Sequence, residues 1–177
     1  PLTAVQILWS NIIEEGLMSV AYAFEKGEPG AMRRKPQDIR KDGILSRQML
    51  GFIAFVIAVL SSLTVLLYFM LRGQGLSIEE LRSVMFIAIA SDSLFIALSF
   101  RSLGTPLWRI SWRDNAFFYM SFGVSTVLLV GALSVPFTQQ LLDYQPVTYG
   151  QFALAVSFSL LALVTVEVAK WIFFERR

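Results

Sequence analysis

The sequence contains no cysteine and no histidine. Without cysteine, neither a disulfide framework nor a thiolate metal site can form. Without histidine, the commonest metal ligand and the usual neutral-pH general base are missing, which excludes a hydrolase that pairs a serine or cysteine nucleophile with histidine. Charge is scarce as well: 16% of the 177 residues are Asp, Glu, Lys or Arg and 55% are hydrophobic, whereas soluble domains carry roughly 25% charged residues. The charges fall into short blocks separated by long uncharged stretches, a distribution suited to lipid rather than water. No internal repeat, low-complexity tract or nucleic-acid signature is present, and no nucleic-acid partner is expected.

A transmembrane helix needs roughly 20 mostly apolar residues to cross about 30 Å of hydrocarbon. Five segments meet this requirement, at about residues 2–24, 49–71, 78–100, 116–137 and 149–174. The second and fourth carry no charge. The first contains Gln6, Asn11, Glu14 and Glu15, and the third has Asp92 near its middle. The chain is therefore expected to be an all-α membrane protein, a bundle of five transmembrane helices forming one domain over residues 1–177. The long loop at 25–48 is rich in basic residues.

Basic residues resist translocation, so their distribution sets orientation. The first and third connections and the tail hold Lys26, Arg33, Arg34, Lys35, Arg40, Lys41, Arg47, Arg101, Arg109, Arg113, Lys170, Arg176 and Arg177, against Arg72 and Arg82 on the other side. That asymmetry places loop 25–48 and the C-terminus in the cytoplasm and the N-terminus outside. An outside N-terminus that opens Pro1-Leu2-Thr3-Ala4, with no initiator methionine and no signal peptide, is expected to follow earlier helices of a longer protein. Glu167 and Lys170 can pair across one helical turn and snorkel toward the interface. Trp108, Trp112, Trp171 and Tyr149 fit an interfacial aromatic belt.

Chemistry concentrates in the first span. In Trp9-Ser10-Asn11-Ile12-Ile13-Glu14-Glu15-Gly16, Asn11, Glu14 and Glu15 stand at i, i+3 and i+4. On a continuous helix they share a face with Ile7, Met18 and Tyr22. A carboxylate at the bilayer centre costs roughly 2.5–3.5 kcal/mol, so an adjacent pair calls for compensation. Hard oxygen donors suit calcium, magnesium or another hard cation, with further ligands from neighbouring helices. The competing reading gives the pair a basic partner or an interfacial position and no further role. Gly16 serves close helix packing or loosens the helix toward an ion. Asp92, in Ala90-Ser91-Asp92-Ser93, either completes the cation site, carries a counter-proton, or is satisfied by its serines or a neighbouring helix.

The opening stretch Pro1 to Asn11, followed by Gly16-Leu17, resembles the sixth membrane helix of P-type cation-transporting ATPases, in their calcium-pump-like branch. Ala23-Phe24-Glu25-Lys26-Gly27-Glu28-Pro29-Gly30-Ala31-Met32-Arg33-Arg34-Lys35-Pro36 resembles the cytoplasmic loop that follows it. The resemblance is specific over residues 1–36 and extends in layout to the whole chain, which would then hold the sixth to tenth helices. It implies cation ligands at Asn11, Glu14 and Glu15, where the family carries asparagine or aspartate, then threonine, then aspartate. Glu14 departs from the threonine, and Glu15 is longer than aspartate by one methylene. On the eighth helix the family's ligand position falls on Ser93, which makes Asp92, turned by about 100°, a weaker metal candidate.

The resemblance further implies a transported cation, with Ca2+ the first choice, and ATP and Mg2+ bound by parent domains beyond this chain. It implies partnership with the remaining helices and cytoplasmic domains of the same pump and with the lipid bilayer. As an integral, multi-pass protein, the chain is expected in the plasma membrane. Lacking the aspartyl-phosphate motif and nucleotide domain, it is expected to be inactive alone, its 25–48 loop docking on the phosphorylation domain. Two other classes compete: a self-contained channel or secondary-transporter subunit with an acidic pore lining, and a degenerate membrane scaffold.

Overall fold

A computed structural model describes residues 2–12, 16–25 and 46–175. Its described residues form seven α-helices: α1 (Ala4–Asn11), α2 (Leu17–Tyr22), α3 (Arg47–Gly73), α4 (Ile78–Ser99), α5 (Ala116–Ser134), α6 (Pro136–Leu141) and α7 (Tyr149–Lys170). A 3-10 turn at Leu107–Arg109 and a π turn at Trp171–Glu175 complete the order. Among the described residues, four helices are long and apolar enough to cross a membrane: Arg47–Gly73, Ile78–Ser99, Ala116–Ser134 and Tyr149–Phe174. The segment read as the first span appears as α1 and α2, with residues 13–15 between them outside the described residues.

Local sequence explains where the helices start and stop. Thr3, Ser77 and Thr148 each open a helix with a capping box, closed by Gln6, Glu80 and Gln151 respectively, so that two orphan backbone donors are satisfied at each start. Ser46 and Asn115 cap α3 and α5. The fourth predicted span closes early, at Ser134, because Pro136 lacks an N–H and pushes Val135 into extended backbone (ψ 125°) before opening α6. After α6, Asp143 takes a left-handed φ of 51°, and Tyr144 N–H returns to the Gln139 carbonyl at 2.8 Å, a Schellman-type stop with aspartate in the place usually held by glycine. Gly75, with φ 73°, turns the chain between α3 and α4.

Helix α4 is the centre of the bundle. Twelve of its 22 residues are buried, against four of 27 in α3. Its most extensive partner is α7, while α3 lies against α7 and α4, and α2 against α5. The α4–α7 seam is made of small side chains: Ala88, Ser91, Ala155, Ser159 and Ala162. Such residues allow close backbone approach where lipid supplies no hydrophobic drive. Ser159 Oγ donates across the seam to the Ala88 carbonyl at 3.0 Å. Outward hydroxyls are satisfied within their own helices: Ser62, Ser157 and Thr165 each donate to the carbonyl four residues back, as does half-buried Thr64. Large apolar side chains such as Phe69, Val127 and Val164 stay exposed, which is neutral against acyl chains.

Phe86 is fully buried in the core shared by α3, α4, α5 and α7. In lipid its truncation loses contacts more than transfer energy. Phe86→Ala should therefore lower stability by about 1–3 kcal/mol, below the about 3–5 kcal/mol typical of soluble cores. Phe69→Ala on the outer face of α3 should stay within about 0.5 kcal/mol. Thermal unfolding in mild detergent would compare the two, and equal losses would show that the core lies elsewhere.

Candidate functional site

Gln6 organises the start of α1. Its Oε1 accepts from Thr3 N–H at 3.0 Å, its backbone N–H bonds Thr3 Oγ1 at 3.2 Å, and its Nε2 donates to the Leu142 carbonyl at 2.9 Å. A carboxamide that broke the apolar run in the sequence is thus a buried tether to the turn after α6. One helical turn on, Ser10 is buried on the same side. Trp9 Nε1 and Ser10 Oγ are enclosed without a hydrogen-bond partner.

Asn11, the last residue of α1, is exposed. Glu14 and Glu15 lie outside the described residues. Along the face expected to run from Ile7 through Asn11 to Met18, burial is uneven: Ile7 is 48% exposed, whereas Met18 is 1% exposed and packed with Ala21 and Phe118. Residues 13–15, which join α1 to α2, lie outside the described residues.

Asp92 faces a cleft between α3, α4 and α7. A cavity of about 20 Å³ there is lined by Leu60, Thr64 and Leu67 of α3, Ala88 of α4, and Phe158 and Ser159 of α7, among others. That volume holds about one water molecule. Asp92 Oδ1 is buried with no hydrogen-bond partner, and no residue of α1 lines the cavity. The structure therefore does not bring Asp92 and Asn11 together there. Among the described residues no group of three acidic side chains is placed to hold a metal.

The strongest polar constructions sit where α2, α4 and α7 end. Glu167 and Lys170 do pair, at 2.7 Å, but they do not snorkel: they are 4% and 2% exposed and point inward. Lys170 Nζ donates to the carbonyls of Ser99 at 2.8 Å and Ser102 at 3.1 Å. Glu167 Oε1 accepts from Ser99 Oγ at 2.6 Å and its Oε2 from Leu107 N–H at 2.8 Å. The reason is electrostatic: α4 ends in unpaired carbonyls, which favour a cation, and Lys170 supplies it.

A second cluster joins α2 to the same segment. Glu25 binds Arg101 through both oxygens, Oε1 to the terminal nitrogen at 2.7 Å and Oε2 to Nε at 3.1 Å, the forked geometry that guanidinium favours. Asn115 Nδ2 donates to Glu25 Oε2 at 2.8 Å and to the Ala21 carbonyl at 3.0 Å, while its Oδ1 caps α5. The Arg101 guanidinium lies 4.9 Å from the centroids of both Phe118 and Tyr119. Burial alone would raise the Glu25 carboxyl, but hydrogen bonds from Arg101 and Asn115, with the Arg101 charge, hold it below its ordinary value. Sequence reading placed these residues in loops. The legible signal was an asparagine just before an apolar run, a helix cap, and nothing in spacing joined it to Glu25.

Four lipid-length helices, a seam of small residues, and charges that, Asp92 apart, gather at helix ends among the described residues define an integral membrane helical bundle. The chain belongs to the cation transporting ATPase C-terminus family, whose model matches residues 1–172. It is 26% identical over 184 aligned positions to the Calcium-transporting ATPase lmo0841 of Listeria monocytogenes, covering 96% of this chain and 19% of that relative. It is 24% identical to Calcium-transporting ATPase 1 of Yarrowia lipolytica, with 100% and 18% covered. Against mouse Calcium-transporting ATPase type 2C member 2 it is 31% identical over 137 positions, with 76% and 14% covered. The chain thus spans less than a fifth of the length of these curated relatives, and it is the C-terminal transmembrane part of a cation-transporting ATPase.

Two outcomes follow from the polar clusters. Removing one partner of the buried pair, by Glu167→Gln or Lys170→Met, should cost about 3–5 kcal/mol by leaving a buried group uncompensated, whereas Glu167→Leu with Lys170→Met should recover part of that loss. Denaturation in detergent measures all three. Because Glu25 titrates low in the folded state, its stabilisation is fully present above the ordinary glutamate value of 4.5 and is lost as pH falls through the lower folded value. Acid unfolding of the native chain should therefore steepen below that range, and Glu25→Gln should flatten the profile.

Proposed function

We propose that this chain forms the sixth to tenth membrane helices of an ATP-driven calcium pump and that Asn11, Glu14 and Glu15 donate oxygen ligands to the transported ion. The observation that carries this reading is the family match across residues 1–172, joined to a carboxamide at the end of α1 that is left exposed while Gln6 and Ser10 on the same helix are buried. Relatives named as calcium-transporting ATPases favour Ca2+, and the donor set fits it, being all hard oxygen.

In this reading the remaining helices and the cytoplasmic domains, with their bound ATP and Mg2+, belong to the parent pump, which sits in the plasma membrane. The basic loop 25–48 and the C-terminus face the cytoplasm and Pro1 the outside, a reading supported by the distribution of Lys and Arg. The chain itself hydrolyses nothing. It contributes ligands and the frame against which the ion-binding helix is held. Asp92 enters as a secondary candidate, on a neighbouring span and in its own cleft.

Phosphorylation of the full-length parent by labelled ATP, across a panel of cations, tests the site. Ca2+ should stimulate phosphoenzyme formation. Glu15→Gln should raise the half-maximal Ca2+ concentration by about tenfold or more, the effect of losing one charged ligand of about 1.5–3 kcal/mol. Asp92→Asn should shift it by less than about threefold. Stimulation by no cation, or full Ca2+ sensitivity in an Asn11→Ala, Glu14→Gln, Glu15→Gln triple variant, would make these residues structural.

A further inference from the structure

The segment from Ser99 to Leu107 is gripped from two sides, by a half-buried Glu25 with buried Asn115 and by the buried pair Glu167 and Lys170. On one side Glu25, just beyond α2, takes Arg101 in a two-pronged ion pair, and Asn115 fastens that carboxylate to the Ala21 carbonyl. On the other side Lys170 of α7 holds the carbonyls of Ser99 and Ser102, two residues before and one after Arg101, and Glu167 holds Ser99 Oγ and Leu107 N–H. Tyr22 of α2 adds a hydrogen bond from its hydroxyl to the Ala97 carbonyl at 2.7 Å, one turn earlier on α4. The bonds form an unbroken path from α2 through the end of α4 to α7. Arg101 is the charged joint of that path, parallel to the Tyr22–Ala97 bond, and its side chain is fully enclosed, with the Phe118 and Tyr119 rings against the guanidinium. Interhelical polar contacts of this kind carry weight in lipid, where apolar faces slide without penalty.

We propose that Arg101 is a positioning residue for the cation site, locking the end of α2 to α7 through the Ser99–Leu107 segment so that a change at Lys170 is felt in the helix that follows Asn11. The cation-site half of this inference rests on the function proposed above; the mechanical half does not. Arg101 touches no ion in this scheme. It sets the frame against which α2 is held.

Hydrogen–deuterium exchange on the full-length pump in detergent decides the mechanical half. Lys170→Met, which removes no contact of α2, should raise exchange in residues 17–25 by roughly threefold or more. Arg101→Gln should do the same, and the double variant should add little to either. Lys170→Arg, which keeps a buried cation beside the same carbonyls, should return exchange toward the native value and guards against simple misfolding. Exchange that rises in residues 99–107 and 166–175 but not in 17–25 overturns the proposal. In the phosphorylation assay, Arg101→Gln should raise the half-maximal Ca2+ concentration by about threefold with the maximal phosphoenzyme level unchanged, and a lowered maximum at unchanged half-saturation would overturn the positioning role. Should the native pump show no cation-dependent phosphorylation at all, the transport reading fails, while the exchange result still decides whether Arg101 couples α2 to α7.

Discussion

The buried ammonium of Lys170, set against the carbonyls that end α4, is the interaction on which the rest of the arrangement depends. In hydrocarbon an unpaired backbone carbonyl is expensive, and a helix end that stops at the membrane boundary has several. One lysine answers this for Ser99 and Ser102 together. The cost of burying that charge is then met by Glu167 at 2.7 Å, whose remaining capacity goes to Ser99 Oγ and Leu107 N–H. Each group satisfies the demand the previous one creates. The same register of α4 against α7 also serves the Ser159–Ala88 hydrogen bond further along.

The seam itself illustrates how packing differs between lipid and water. An exposed apolar face on α3 costs nothing in acyl chains, so apolarity cannot tell α3 where to bind. Shape and polarity must do so instead. Small residues let α4 and α7 approach, and Phe52 at the start of α3 receives Phe173 and Phe174, with ring centroids 5.9 and 5.2 Å away. Gln48 Nε2 donates to the Phe173 carbonyl beside them. Residues 173–174 are thus docked on the first turns of α3 by aromatic edges and one amide.

Much of this was legible in the sequence because the bilayer imposes a length on apolar runs. Residues 49–71 carry no charge and could be little else than a span, and the capping residues Ser77 and Thr148 mark their helix starts by local chemistry alone. The Pro136 break was present in the letters but hidden by apolar neighbours on both sides. What periodicity could not supply was partnership. Glu167 and Lys170 have the spacing of a surface pair, and only the nearby end of α4 turns them inward. Glu25 and Arg101, 76 positions apart, share no pattern at all. Gln6 looked like an interruption of a lipid-facing helix because its acceptor, the Leu142 carbonyl, lies 136 positions away.

The exposure of Asn11 has a consequence for how a cation would be held. A calcium ion takes roughly 6–8 oxygens, and Asn11, Glu14 and Glu15 together offer one amide oxygen and two carboxylates. Asp92 does not make up the difference in the arrangement described, since its cleft is lined by α3, α4 and α7 without α1. The same helix buries Gln6 and Ser10 against this bundle, so the described helices occupy one flank of α1 and leave the flank of Asn11 open. A hard cation bound at Asn11 would therefore meet its other donors on that open flank and not in the α4–α7 core. On this view the bundle is a frame for the proposed site: α4 and α7 are joined by Lys170, α2 is joined to them by Arg101, and Asn11 stands exposed on a helix whose Gln6 and Ser10 are buried against the bundle.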